Sequence, residues 1–434
     1  MQLNRRIRET AVTNEGLTVP SILAEKQLNR LVLASMLWEK QFYMDGIEHA
    51  TAVADLVTKV SAEKVAALAV KARTAYKLRH TPLALVRALA AIGKLKAADL
   101  NAVIQRPDEM GEFLSLYWVQ GKTALSNQVK KGLAQAFGKF NEYQLAKWDK
   151  TSAAVRIRDV MFLTHAKPST PEQEAMFKRV ANQELVTPDT WETQLSAGAD
   201  KCETFTRLMA EKKLGAMAFL RNLRNMAQAG VAESTIREYA STVNVEKVLP
   251  FRYIAAAKIV PQFEDMLEAM MLRSLSTLDK LPGKTILLVD VSGSMFGTSV
   301  SAKSDLDRFD AAAALAMLCS EVCEKVEIYS FSTQIVRVAT RKGFALRDAI
   351  KNSQHAGGTL LGAAVNTVNQ VGYDRLIVIT DEESQDRVPT PIGDKGYILN
   401  VASYKNGVNH SAWTTVTGFS EAVIDYIRET EKAD

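Results

Sequence analysis

Two kinds of hydrophobic pattern divide the chain. From residue 20 to about 275, apolar residues recur at spacings of three and four, as over 62–77, 82–91, 125–137 and 214–227. That spacing gathers them on one side of a helix. Prolines at 20, 82, 168, 171, 188 and 250 cut the run into helix-sized segments, as in helical repeat arrays, although no strict period joins them. After Leu281-Pro282-Gly283-Lys284, which reads as the boundary, short apolar runs alternate with helical stretches. Strands are expected over 285–289, 326–331, 375–379 and 396–401, and helices over 309–323, 346–352, 361–371 and 420–430. Such alternation means a doubly wound parallel sheet with helices on both faces, and near-continuous apolar strands agree with burial on both sides. The chain of 434 residues is long enough for two cores. The expected organisation is an all-helical domain over 1–280 and an α/β domain over 281–434.

Candidate chemistry stands at the strand ends. Asp290-Val291-Ser292-Gly293-Ser294 follows the apolar run Ile286-Leu287-Leu288-Val289, so a tight turn can aim the oxygens of Asp290, Ser292 and Ser294 at one point. Thr359, after Gly357-Gly358, and Asp381, after the run 376–380, can complete the set, because ligands in open α/β sheets collect outside the carboxyl ends of the strands. Hard oxygen donors of this kind suit a divalent cation, Mg²⁺ first, with Mn²⁺ or Ca²⁺ as alternatives.

Charge divides along the same line. Residues 1–280 carry a balance of +9 and residues 281–434 a balance of −4, within a total of +5. The basic excess gathers in two stretches, one from Lys71 to Lys96 that includes Arg79 and Arg87, the other from Lys122 to Arg158. Sharing a face, they would form a phosphate-binding surface. Tyr76, Tyr117, Trp118, Phe137, Phe140, Tyr143 and Trp148 lie among them; each is a core ring first, but an exposed one can stack on an unpaired base.

The Asp290, Ser292, Ser294, Thr359 and Asp381 set resembles the metal-ion-dependent adhesion site of von Willebrand factor A domains, departing at Glu382 and Glu383, where many such domains place Gly first. Upstream, the segments 37–46, Val155 to Val160 leading into His165-Ala166-Lys167-Pro168, 216–223 and Leu249-Pro250-Phe251-Arg252 resemble the TROVE module. TROVE followed by a von Willebrand factor A domain is the architecture of the Ro autoantigen family and its bacterial relatives. The resemblance covers essentially the whole chain. It implies a ring of HEAT-like helical repeats closed by the α/β domain, binding small noncoding Y RNA on its outer surface. It also implies a basic central hole that takes single-stranded ends of misfolded RNA, in noncoding RNA quality control. His165 carries over with its motif, and Lys147, Lys150, Arg156, Arg158 and Lys167 join it by charge. Arg79, Arg87 and Arg221 are expected at the hole, with Lys130 and Lys131 as further RNA candidates. A different class of function, a metal-dependent adaptor that docks an acidic side chain of a protein such as an exoribonuclease, stands beside RNA binding.

Enzyme signatures are thin. Gly283-Lys284-Thr285 precedes a strand instead of following one, with Leu278 where a phosphate-binding loop needs Gly. No Gly-x-Ser-x-Gly or His-Glu-x-x-His occurs, and the five His are scattered. No catalysis is expected. Three cysteines, with Cys319 and Cys323 one turn apart on an expected helix, suggest core thiols in a reducing compartment. With no signal-like apolar segment and no long apolar span, a soluble cytoplasmic monomer is expected, with no membrane partner.

Overall fold

The computed structural model describes residues 24–33, 46–246, 248–276, 278–299, 306–381, 384–393, 395–402, 413–417 and 423–431. The motif segment 37–45 and the carboxylates Glu382 and Glu383 lie outside them. Two compact units divide between Ala199 and Asp200. The change from helix to strand expected near 280 is also present, but it falls inside the second unit.

The first unit is helical: α1 (Ala24–Leu33), α2 (Gly46–Val57), α3 (Ala62–Thr74), α4 (His80–Ala91), α5 (Ala97–Val103), α6 (Pro107–Tyr117), α7 (Asn127–Phe137), α8 (Glu142–Trp148), α9 (Ile157–Thr164), α10 (Pro171–Asn182) and α11 (Trp191–Ser196). Polar residues start many of them. The side chains of Ser126, Asn141, Thr170 and Thr190 each accept a backbone N–H three residues on, which satisfies donors that the first helical turn leaves open. Helices near in sequence pack on one another, α3 on α4, α5 on α7 and α7 on α9, around fully buried Leu83, Val86, Leu89, Leu100, Phe113, Leu133 and Phe137. Each such side chain contributes roughly 1.5–3 kcal/mol over an exposed one.

Two glycines set the approach of these helices. A Cβ on Gly111 of α6 would stand 2.4 Å from the Val155 carbonyl oxygen, and one on Gly132 of α7 would stand 2.8 Å from the Ala97 carbonyl oxygen. Gly111 therefore lets the entry to α9 rest against α6, which brings the residues after α6 close to those of α9.

The second unit begins with α12 (Lys201–Ala210), α13 (Ala216–Gln228), α14 (Glu233–Thr242), α15 (Pro250–Ile259) and α16 (Glu264–Leu275). The α/β part follows as β1 (Leu281–Asp290), α17 (Arg308–Val322), β2 (Cys323–Phe331), β3 (Ile335–Arg337), α18 (Gly343–Lys351), α19 (Leu361–Val371), β4 (Arg375–Thr380), β5 (Gly396–Asn400), β6 (Thr414–Thr417) and α20 (Val423–Thr430). Strand order is β3-β2-β1-β4-β5-β6, parallel except for β3, which pairs antiparallel with β2. Ile286, Leu288, Leu376 and Val378 pack on Leu361, Val365 and Val368 of α19. Their equally buried neighbours Leu287, Val289 and Ile377 point to the opposite face, and α17 packs against β1, β2 and β4.

Three expectations are corrected here. The stretch 281–284 belongs to β1, with a register shift between Leu281 and Lys284 and Gly283 at φ +85°. Edge strands β3 and β6 carry too short a pattern to be read from sequence, and β3 makes the sheet mixed. Cys323 opens β2 instead of closing a helix, although both it and Cys319 are buried and unbridged as expected. Arg375 is wholly buried, held by Glu431 and by Thr285 Oγ1 at 2.8 Å. Among the described residues no helix is long and apolar enough to cross a membrane.

Gly111→Ala forces a backbone shift at the α6 to α9 contact and is expected to cost about 1–3 kcal/mol, read as a lower urea midpoint with an unchanged denaturant slope.

Candidate metal centre and nucleic-acid interface

β1 and β4 are adjacent, with Val289 in register with Ile379, so Asp290 and Asp381 come together at the carboxyl ends of neighbouring strands. The Gly293 N–H donates to the Gly357 carbonyl at 2.9 Å, which ties the Ser292–Ser294 turn to the loop carrying Thr359. Ser292 and Ser294 hydroxyls lie 3.3 Å apart. The expected donor set is thus gathered on three loops, and all of it but Ser294 is buried.

Its electrostatics are unbalanced. Burial, and then the neighbouring Asp381 charge, push the Asp290 carboxyl up to about 7, against hydrogen bonds donated by the Ser292 N–H at 2.8 Å and the Thr380 hydroxyl at 2.6 Å. Arg308, the first residue of α17, donates Nη1 to Asp381 Oδ2 at 2.8 Å, an ion pair in which the carboxylate is wholly buried. Sequence reading missed Arg308. The available signal was its place at the head of a helix too apolar to have a solvent face. Two carboxylates and three hydroxyls remain a fit for a hard cation, with Arg308 supplying one positive charge already.

In the helical unit an open pocket of about 630 Å³ lies beside His165, lined among others by Trp118, Lys122, Lys130, Asp159 and Phe162. Two cations stand over its rings: the Lys122 ammonium 5.2 Å from the centre of Trp118, and Arg158 5.5 Å from that of Phe162. The Trp118 indole is oriented by donating its Nε1–H to the Thr123 carbonyl at 2.8 Å. His165 caps α9 in the left-handed conformation, φ 53° and ψ 43°, which leaves its side chain exposed.

The other basic candidates divide. Arg79 is committed to Asp108 and Glu112, and Arg156 to Asp149 at 2.9 Å and Gln183 at 2.7 Å, so both serve helix packing first. Arg87 is half-buried on α4. Lys131 and Lys167 are exposed, as are Lys147 and Lys150, which lie over Tyr143 and Trp148 respectively. Arg221, on α13 of the other unit, shares a cavity of about 220 Å³ with Arg224 and Arg252. Tyr76, Phe137 and Phe140 are core. Phe162 was missed, though Ile157, Val160, Met161 and Thr164 form the buried stripe of α9 and helical spacing leaves Phe162 off it.

Since glycine takes a left-handed backbone without cost, His165→Gly is expected to unfold at the same or a higher temperature, with a gain of up to about 1 kcal/mol. Any ligand binding lost in that variant then reports the imidazole and not a damaged helix end.

A family model described as the TROVE domain matches residues 181–329, and one described as the Ro60 vWA domain matches residues 284–428. No curated protein matches the chain. Among solved structures, the crystal structure of the Deinococcus radiodurans Ro (RSR) protein is similar with a TM-score of 0.63, at 19% identity over 94% of this chain and 99% of that one. That likeness shows the fold. The chain thus carries a segment similar to the TROVE domain and, overlapping it over residues 284–329, one similar to the Ro60 vWA domain, on a fold like that of the Ro protein.

Proposed function

We propose that this protein binds a small noncoding Y-like RNA through the surface around His165. We propose further that it takes single-stranded ends of misfolded RNA at the basic hole which the family resemblance implies, with Arg221 contributing, in noncoding RNA quality control. The role is binding without catalysis, by a cytoplasmic monomer. The observation that carries the reading is the convergence of Lys122, Lys130 and His165 on one pocket, on the stretch where the family motif His-x-Lys-Pro falls. None of the three is in an ion pair with a carboxylate among the described residues, so two ammonium groups and an imidazole are available to phosphates.

Each phosphate neutralised releases counterions, so the logarithm of affinity falls with that of salt by about 0.7 to 0.9 per contact. In fluorescence anisotropy, Lys122→Glu with Lys130→Glu is expected to weaken binding of a hairpin RNA by about tenfold or more and to flatten the salt slope. A hairpin with a single-stranded 3′ tail is expected to bind more tightly than its blunt counterpart; equal affinities would sink the end-binding part of the proposal.

A second reading has its own observation, the buried donor set of the sheet. We propose that Asp290, Ser292, Ser294, Thr359 and Asp381 hold a divalent cation, Mg²⁺ before Mn²⁺ or Ca²⁺, which accepts an acidic side chain of a protein partner such as an exoribonuclease. When bound, the ion supplies positive charge to the two carboxylates. Arg308 competes with it for Asp381 Oδ2. Titration calorimetry with Mn²⁺ is therefore expected to show affinity about tenfold higher in Arg308→Met, since the like charge is gone. In the unaltered protein, affinity is expected to fall as pH drops through about 7, where Asp290 gains the proton that a metal must displace. Equal Mn²⁺ affinity in the variant would mean that Arg308 does not compete.

A further inference from the structure

We propose that the pocket beside His165 holds one unpaired nucleobase, stacked on Trp118 or Phe162, with its phosphate directed to Lys122, Lys130 and His165. The inference rests on the RNA-binding reading and adds what kind of nucleotide the site selects.

Phe162 carries the argument. It is 53% exposed, on a helix where Ile157, Val160 and Met161 are buried and Leu163 is half-buried, and with Leu163 it lines the open pocket. The Arg158 guanidinium lies over this ring, 5.5 Å from its centre, and the rest of the ring stays in water beside the pocket. Trp118 supplies a second ring, fixed in orientation by the hydrogen bond from its indole to Thr123. Aromatic faces bind bases of any identity, because every base has a π face. A base inside a duplex cannot use them, since its own neighbours cover both its faces; a bulged, looped or terminal base can.

Size and polarity agree. A cavity of about 630 Å³ lies in the range of small-molecule sites, roughly 300 to 1,000 Å³, large enough for a nucleotide and its water. The cations are placed for the backbone of such a nucleotide, and Lys122 stands directly over the Trp118 ring. Asp159 gives the pocket a hydrogen-bond acceptor. Its Oδ2 takes the Arg156 N–H at 2.9 Å, which leaves Oδ1 to accept from the exocyclic amine of adenine, guanine or cytosine. Uracil has no such amine and is expected to bind less well.

The test compares two hairpin RNAs with the same stem, one fully paired and one with a single bulged 2-aminopurine, against the full chain. The bulged RNA is expected to bind more tightly, and its fluorescence to fall on binding as the base stacks. Phe162→Ala should weaken the bulged RNA about fivefold or more, the lower end of what stacking on one ring contributes, and leave the paired stem unchanged. Trp118→Phe should retain, and Trp118→Ala lose, part of the same preference. Because Phe162 is exposed, its truncation is not expected to unfold the helix, and thermal unfolding checks this. If both alanine variants bind the two RNAs as the unaltered protein does, the base pocket is wrong while RNA binding stands. If the unaltered protein binds neither RNA, the RNA reading fails and the inference with it.

Discussion

Burying a charge requires a partner, and this constraint decides which of the protein's cations remain to meet a ligand. An isolated ion inside a protein costs several kcal/mol, recovered only through a counter-charge and full hydrogen bonding. Arg73 accordingly meets the wholly buried Glu109 at 2.6 Å, Arg375 meets Glu431, and Arg308 meets Asp381. In the helical unit Arg79, Arg156 and Lys139 are likewise spent on carboxylates or on helix-end carbonyls. Among the described residues, what is left includes Lys122 and Lys130 at the pocket beside His165, the exposed Lys131, Lys147, Lys150 and Lys167 of the same unit, and Arg221 with Arg224 in the other. A net charge of +5 thus understates how local the ligand-facing charge is.

The same selection acts on the aromatic residues. Phe137 meets Phe177 edge-on at 4.9 Å in the core, while Trp148 lies 3.7 Å under the Arg106 guanidinium. Packing consumes Phe137, and Trp148 is half-buried beneath its cation. Trp118 and Phe162 differ because both border a cavity that Gly111 helps to create, by letting the entry to α9 close on α6. Backbone approach, ring exposure and unspent charge therefore coincide at one place, and this coincidence gives the RNA proposal its physical content.

The sheet presents the opposite case, a site where charge is excessive instead of spare. Burial first, and then the charge of Asp381 at the adjacent strand end, push Asp290 toward the protonated form. Arg308 relieves this in part and occupies one oxygen in doing so. Any cation held there would have to compete with the arginine for the same carboxylate, a feature that the donor residues alone do not reveal.

Much of this organisation was legible in the sequence because it depends on local pattern. Spacings of three and four define helices, unbroken apolar runs define buried parallel strands, and Asp290-x-Ser-x-Ser sits where a strand must end, so the helical part, the central strands and the donor set were all readable. The edges were not: β3 and β6 are too short for periodicity to register, and the extra residues of β1 contain a proline and a glycine. Nor could sequence choose among the basic residues. Arg79 and Asp108 are 29 positions apart, and Arg308 and Asp381 are 73 apart. No local pattern encodes such pairs, and only the folded chain, by bringing them within hydrogen-bond distance, decides which charges are consumed and which remain for a ligand.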